Sequence, residues 1–531
     1  MRVTFKVLKL LGGGDFEKII VEVLNSLNVV QARANESADL DALEIFNEVF
    51  GDKVITRIKI VIGGSTKFFR TISVARRDER LGAEINRLVK KNLYVLLVDN
   101  FGLDTVPYGI LFGVRPTKII QRWLDSGFGI TSHGVIDRDK ISRRLCKDFL
   151  TDLDKAALLT EVATRQLPLI KCDAKTVGVY VGIPFCRTRC LYCSFPSFVL
   201  PSDEKVADFM KVLTRDIEAA ANSIKRYGLK VQTIYIGGGT PTALPEKFFA
   251  EMLAKVFDNF HTDDVEEFTV ECGRPDTITA EKISALKKFR VTRVSVNPQT
   301  MQQRTLDLVG RAHTVEDVTR VFNELRNSGD WLINTDLILG LPGENFADFK
   351  DSLQKVLSLK PDDITLHALA IKRGSTIQKL LADEINTPED FRLPADNEVQ
   401  KMATFADKVL RDENYLPYYL YRQSSMSGQI ENVGWCHKGG AGLYNVQIIG
   451  ERQTILGVGS AASTKVPDQK EVFLHTAFNA KDLLTYMRDV DRYIARREAA
   501  LAAVYQPVDS PPEIAENGGN IDGLREQRQF G

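Results

Sequence analysis

The stretch Tyr180-Val-Gly-Ile-Pro-Phe-Cys186-Arg-Thr-Arg-Cys190-Leu-Tyr-Cys193-Ser-Phe-Pro196 decides how the rest of this chain is read. It continues an apolar run, 177–183, that reads as a strand. It also packs three of the chain's seven cysteines into eight residues. The other four, Cys146, Cys172, Cys272 and Cys436, stand apart. An odd count at irregular spacing is a poor disulfide framework, so a tight group of thiols points first to metal. Three thiolates from one short loop can hold three corners of a cubane iron–sulfur cluster and leave the fourth iron open to a small molecule. A closed structural site would need a fourth ligand. Cys172, Cys272 and the adjacent Cys436-His437 are the candidates, and none has the paired spacing of a zinc ribbon.

Outward from this loop, residues 174–380 alternate strand-like and helical runs. Strands are expected near 177–183, 233–236, 268–271, 292–297, 331–338 and 363–366. Thr314 and Asp317 make a capping-box start for one intervening helix, and Gly329 ends it. Six strands with helical crossovers imply a parallel sheet. In about 200 residues they fit a partial (β/α)6 TIM barrel, with its site at the carboxyl ends of the strands. The expected fold class is therefore α/β, with an N-terminal α+β domain (1–104), a helical connecting region (105–173) and a smaller C-terminal α+β domain (381–505). Residues 506–531, with Pro507, Pro511, Pro512 and Gly518-Gly519, read as a disordered tail.

In the first domain, Val3, Phe5 and Val7, then Ile58, Ile60 and Ile62, then Ile72 and Val74 alternate as half-buried strands do. Ile85, Leu88, Val89, Leu93, Leu96 and Leu97 follow helical spacing. Arg115 precedes Pro116, and a structural helix start is favoured there over a binding role. With 531 residues, three or four domains are expected. Lysine plus arginine and aspartate plus glutamate each total 70, which argues against a whole-chain polyanion binder. No nucleic-acid partner is expected, and no run reaches the ~18 uncharged apolar residues of a membrane span. Arg2, Lys6 and Lys9 interrupt any signal-peptide core, so a cytoplasmic chain is expected, and a monomer.

The polar residues that end successive strands form a series. Gly237-Gly238-Gly239-Thr240-Pro241-Thr242 follows the second strand, where glycines let a ligand reach backbone groups. Glu271 ends the third, Gln299 follows the fourth, Arg311 lies twelve residues on, Asp336 is in the fifth and Ala370 follows the sixth. His367 and His313 could reach the same place. Arg187, Arg189, Lys372 and Arg373 flank it, with guanidinium and ammonium donors suited to carboxylates.

The C-x3-C-x2-C spacing of Cys186, Cys190 and Cys193 resembles the radical S-adenosylmethionine (SAM) superfamily. The ordered series resembles its oxygen-independent coproporphyrinogen III dehydrogenase (coproporphyrinogen oxidase-like) family. The long N-terminal domain with Gly113-Val-Arg-Pro-Thr-Lys118 is similar to the Z-type branch. The resemblance implies a [4Fe–4S] cluster on the three cysteines and one or two SAM molecules. It implies SAM contacts at Tyr180, Tyr192, Gly238, Gly239, Thr240, Glu271, Gln299, Arg311, Asp336 and Ala370. It further implies a small-molecule tetrapyrrole substrate, an electron donor and an acceptor. The implied reaction is oxidative decarboxylation of coproporphyrinogen III propionates to vinyl groups in haem biosynthesis. Phe195 stands where the dehydrogenase branch carries a fourth cysteine. The His-Asn-x-x-Tyr-Trp motif of the haem-chaperone branch has only Ala441-Gly-Leu-Tyr-Asn-Val as a counterpart. A haem chaperone on the same scaffold, with Cys436 and His437 as candidate ligands, is the alternative, as is another radical SAM substrate.

Overall fold

The structure, a computed structural model, describes residues 2–11, 16–27, 30–31, 42–62, 65–75, 81–101, 103–170, 173–372, 375–382, 391–423, 425–468 and 473–508. Cys172, Arg373 and residues 509–531 of the expected tail lie outside the described residues.

The N-terminal strands Arg2–Leu11, Ala42–Phe50, Lys53–Ile62 and Ser65–Val74, with Val30–Gln31 at one edge, form a five-stranded sheet. Helices Glu17–Ser26 and Leu81–Phe101 cover one face, burying Ile20, Val23, Leu88, Val89 and Leu93 against Ile45, Val54 and Ile58. The last strand corrects the expectation for Ile72 and Val74. Both point away from the helices, 51% and 57% exposed, beside Phe68 at 73%. Their neighbours Phe69 and Ser73 face inward instead, Ser73 donating to Asn92 at 2.7 Å. The alternation is that of a strand, but which face is buried is decided by the helices and not by the strand itself.

Helices Thr117–Asp125, Arg138–Phe149 and Leu153–Gln166 follow. Arg115 is a structural anchor, as its place before Pro116 suggests. Its Nη1 meets Glu451 at 2.5 Å, and Lys118 and Lys465 hold the same carboxylate at 2.6 and 2.9 Å.

Six parallel strands succeed one another in chain order: Thr176–Ile183, Lys230–Gly238, Glu267–Glu271, Arg293–Ser295, Leu332–Leu339 and Asp363–Ala368. Helices Asp203–Tyr227, Glu246–Phe260, Ala280–Lys288, Val315–Ser328 and Phe346–Ser358 are their crossovers. The Thr314–Asp317 capping box is formed. This is the partial barrel of the expected α/β class.

Strands of the 381–505 region extend the same sheet on both edges. Thr454–Gly459 runs parallel to the first core strand as a seventh parallel member, followed by Ser463–Asp468 and Phe473–Phe478. Asn432–Cys436 and Leu416–Tyr421 add antiparallel strands beyond the sixth. Each core edge thus gains a hydrogen-bonded neighbour in place of unpaired backbone groups. At the amino ends of the strands, buried Arg293 bonds Glu267 (3.3 Å), Asp363 (3.0 Å) and the Gly440 carbonyl (2.8 Å). Glu267 accepts from the Leu443 and Tyr444 amides at the start of helix Leu443–Gly450. Among the described residues no helix is long and apolar enough to cross a membrane.

The terminal helix Val490–Ala502 is fastened by a buried ion pair, Arg497 to Asp216 at 2.6 Å. Asp216 also accepts from the Gly459 amide and the Tyr486 hydroxyl, both at 2.9 Å. Removing one partner leaves the other buried and uncompensated. Arg497→Ala is expected to cost about 3–5 kcal/mol, read as a lowered unfolding midpoint. Adding Asp216→Asn to it should recover part of that loss.

Candidate functional site

The first core strand ends at Ile183, and the cysteine loop leaves from there. Two short strands, Phe185–Cys186 and Phe198–Val199, brace its ends, with Phe198 N donating to Pro184 O and Leu200 N to Cys186 O. Phe185 is fully buried against Phe209. The far side of the loop hangs on the 309–310 turn through Leu191 N to Val309 O and Thr188 Oγ1 to Gly310 O. Cys190 is buried, and Cys186 and Cys193 are half-buried. Among the described residues no three ligating side chains converge on one ion-sized point. A cubane sets each thiolate on a separate iron, so it requires thiols spread around a shared space. The remaining described cysteines lie elsewhere. Cys272 is buried, and burial pushes its thiol up to about 12. Cys436 pairs with Asp363 at the amino end of the sheet, so it and His437 lie on the face opposite the cysteine loop.

The glycine turn is clamped to this loop by backbone. Gly239 N donates to Ile183 O and Thr240 N to Phe185 O, both at 2.7 Å, and Thr240 Oγ1 reaches Cys186 Sγ at 3.6 Å. Glycine is required sterically. Gly238 has φ +116°, and a Cβ on Gly239 would lie 2.5 Å from Phe185 O and 3.0 Å from Cys186 Sγ. Glu271 holds the turn from inside the barrel, accepting from Tyr235 Oη at 2.6 Å and Gly238 N at 3.2 Å. Burial pushes its carboxyl up to about 7, against the lowering effect of the Tyr235 bond.

The other expected residues gather around the same opening. Gln299 adopts φ +71° and bridges two strand ends, its N–H donating to Asp336 O and its carbonyl accepting from Ile338 N. Its Oε1 is buried without a partner, as is Oδ1 of Asn297. Arg311 is buried and bonds Tyr192 Oη at 3.1 Å, Gly273 O at 3.0 Å and Asn297 O at 2.5 Å, with Cys190 Sγ at 4.0 Å. Asp336 faces His367 Nε2 at 3.6 Å, and His367 Nδ1 meets Tyr421 Oη at 3.3 Å. Tyr235 and Tyr444 stack on each other at 4.3 Å, and Tyr180 lies beside the pair, 6.1 Å from each ring. Ala370 forms a bridge with Met426 beyond the sixth strand. His313 is buried with both ring nitrogens unpartnered. Burial, helped by Arg311 and Arg274, pushes it down to about 3, so it is neutral.

Of the flanking cations, Arg187 leans on Asp276, its Nη1 donating to the carbonyl at 2.8 Å. Arg189 and Lys372 have no carboxylate partner among the described residues, and both act electrostatically on Cys193. Lys481, at the end of the last strand's return, adds a third such charge near Lys372. Phe195 is 42% exposed beside them. Sequence reading missed Arg274, Tyr235, Tyr444 and Lys481. Only Arg274, directly after a strand end in Cys272-Gly-Arg-Pro-Asp, carries a local signal.

Three thiols of one loop, near enough that Cys186 and Cys190 act electrostatically on Cys193, the sterically required glycines and the orphaned Gln299 and Asn297 oxygens fit a cubane cluster with a polar ligand beside it. Residues 180–356 match the radical SAM superfamily. The chain is 34% identical over 446 residues to the oxygen-independent coproporphyrinogen-III oxidase-like protein HemZ of Bacillus subtilis, across 83% of this chain and 85% of that protein. It is 33% identical over 210 residues to the heme chaperone HemW of the same organism, across 38% of this chain and 53% of the relative. The structure of coproporphyrinogen III oxidase (HemN) from Escherichia coli aligns with 62% of this chain and 72% of its own, at a TM-score of 0.47 and 21% identity. The chain belongs to the radical SAM superfamily and, within it, to the oxygen-independent coproporphyrinogen-III oxidase-like family. Its cofactors are SAM and a [4Fe–4S] cluster.

The raised Glu271 carboxyl has a stability consequence. The folded chain retains a proton there that the unfolded chain releases between about pH 4.5 and 7. Stability therefore falls as pH rises through that window. Glu271→Gln should remove this loss, which is about 3 kcal/mol in full. In thermal unfolding of apoprotein the variant should match the wild type at pH 4.5 and exceed it at pH 8.

Proposed function

We propose that the chain is a radical SAM oxidoreductase that decarboxylates propionate side chains of a tetrapyrrole, coproporphyrinogen III, to vinyl groups. Cys186, Cys190 and Cys193 hold three irons of the cluster. Tyr180, Tyr192, Gly238, Gly239, Thr240, Glu271, Gln299, Arg311, Asp336 and Ala370 line the place for SAM. The observation that carries this reading is the convergence of these residues at one end of the partial barrel, under a rim of cations without carboxylate partners. Cluster and SAM, bound there, would supply radical chemistry able to remove hydrogen from a propionate β-carbon, the carboxylate then leaving as carbon dioxide and one electron passing to an acceptor.

The protein's own groups bind and orient. The glycine turn offers backbone where a side chain would collide with Cys186. Gln299 Oε1 offers an unspent acceptor. Arg311 offers a buried cation for a carboxylate. Arg189, Lys372 and Lys481, all exposed at the rim, suit the carboxylates of a substrate. Asp336, His367 and Tyr421 form a hydrogen-bonding wall inside the barrel.

An anaerobic assay with reduced protein, SAM and coproporphyrinogen III tests this. The expected products are 5′-deoxyadenosine and a vinyl tetrapyrrole. Cys186→Ala, Cys190→Ala and Cys193→Ala should each lose the cluster signal and both products. Deoxyadenosine without vinyl product would reject the substrate.

A second reading, haem binding on the same scaffold, is favoured by one observation. A cavity of 760 Å³ opens at the amino ends of the strands, lined by Pro168, Leu169, Leu416, Cys436, His437 and Leu443. Haem should then bind with an affinity that His437→Ala lowers at least tenfold; unchanged affinity removes this ligand.

A further inference from the structure

Two buried arginines of the site converge on one thiol. Arg274, 4% exposed, reaches Cys190 Sγ with Nη1 at 3.6 Å and Thr188 Oγ1 with the same nitrogen at 3.0 Å. Arg311 approaches the same sulfur to 4.0 Å. Arg311 is bonded to two carbonyls and a phenol, none of them charged. Arg274 has one carboxylate, Asp276, held by Nε at 3.0 Å and Nη2 at 3.4 Å, and Arg187 draws on that same residue. His313, wedged beside both guanidiniums, stays neutral. Arg274 and the exposed Arg187 thus share a single aspartate, and Arg311 has no carboxylate bonded to it.

The mounting of Arg274 is rigid. Its carbonyl accepts from Thr277 Oγ1 at 2.7 Å, and that hydroxyl meets Thr242 Oγ1, at the end of the glycine turn, at 2.7 Å. Lys282, also buried, crosslinks the Thr242 and Thr277 carbonyls at 2.6 and 2.9 Å. The Asp276 fork sets the guanidinium plane, so the donor facing Cys190 is held in place before any cofactor arrives.

We propose that Arg274, oriented by Asp276, is the residue that tunes the cluster's reduction potential, by donating a charge-assisted N–H···S bond to Cys190 that favours the reduced form. This rests on the cluster reading above. Reduction adds one negative charge to the cluster. A fixed cation and a hydrogen bond at a ligand sulfur stabilise that added charge more than they stabilise the oxidised state.

The test is an EPR-monitored redox titration of anaerobically reconstituted full-length protein without SAM, with iron per chain measured alongside. Arg274→Met should retain iron and shift to more negative potential. At the potential that half-reduces the wild type, its reduced-to-oxidised ratio should fall about tenfold, which is about 59 mV for one electron. Asp276→Asn removes the offsetting negative charge while its amide oxygen still accepts from Arg274 Nε, and should shift the potential the other way. If Arg274→Met fails to hold iron, Arg274→Lys, which keeps the charge without the fork, should lie below the wild type. An unchanged potential in an iron-loaded Arg274 variant, or shifts of the same sign for Arg274→Met and Asp276→Asn, overturns the proposal. A wild type that binds no cluster overturns the cluster reading instead.

Discussion

The site depends on the in-phase parallel pairing of the first two core strands. Tyr180 lies opposite Tyr235, and Ile183 opposite Gly238. Both chains therefore leave the sheet at one level, and two backbone bonds, from Gly239 to Ile183 and from Thr240 to Phe185, lock the departing loops together. A one-residue slip would turn Tyr180 and Tyr235 out of the barrel and carry Glu271's partner with them. The cysteine loop has little apolar anchoring beyond Phe185 and Leu191. Its position is inherited from that register.

The two ends of the barrel handle charge differently. At the amino ends, Arg293 meets two carboxylates, Glu267 and Asp363, and a carbonyl, and Glu267 also caps a helix. Even so, burial pushes Asp363 up to about 7. This end spends its charges on one another, beside the cavity that opens there. At the carboxyl ends, Arg274 and Arg311 turn toward a thiol, and the side-chain oxygens of Asn297 and Gln299 have no partner. An interior rarely tolerates unsatisfied polar groups without a function to explain them.

Much of this was legible in the residues. The C-x3-C-x2-C spacing, the glycine run and the capping box are local patterns, and local patterns survive without knowledge of the fold. The six core strands were readable because each lies within a β/α repeat. What escaped is non-local. Residues 454–459 carry no mark that they will lie beside 176–183. Ile72 and Val74 look identical to core residues until the helices choose the other face. Lys481 and Tyr444 come from the 381–505 region, read as a smaller domain of its own, and enter the site only through tertiary packing. Arg274 carries only the weak signal of an arginine after a strand end, and its meaning lies in what it touches.

The pairing of Thr454–Gly459 with Thr176–Ile183 reaches beyond geometry, into the order of events during synthesis. The strand that launches the cysteine loop is made early, whereas its outer neighbour emerges some 270 residues later. Until then the first core strand is a bare edge, and the thiols beyond it sit on a sheet that can still slip or pair wrongly. Contacts so distant along the chain form slowly. A finished site for iron thus belongs to the last stage of folding, and a nascent or truncated chain would present its cysteines to the cell as ordinary exposed thiols.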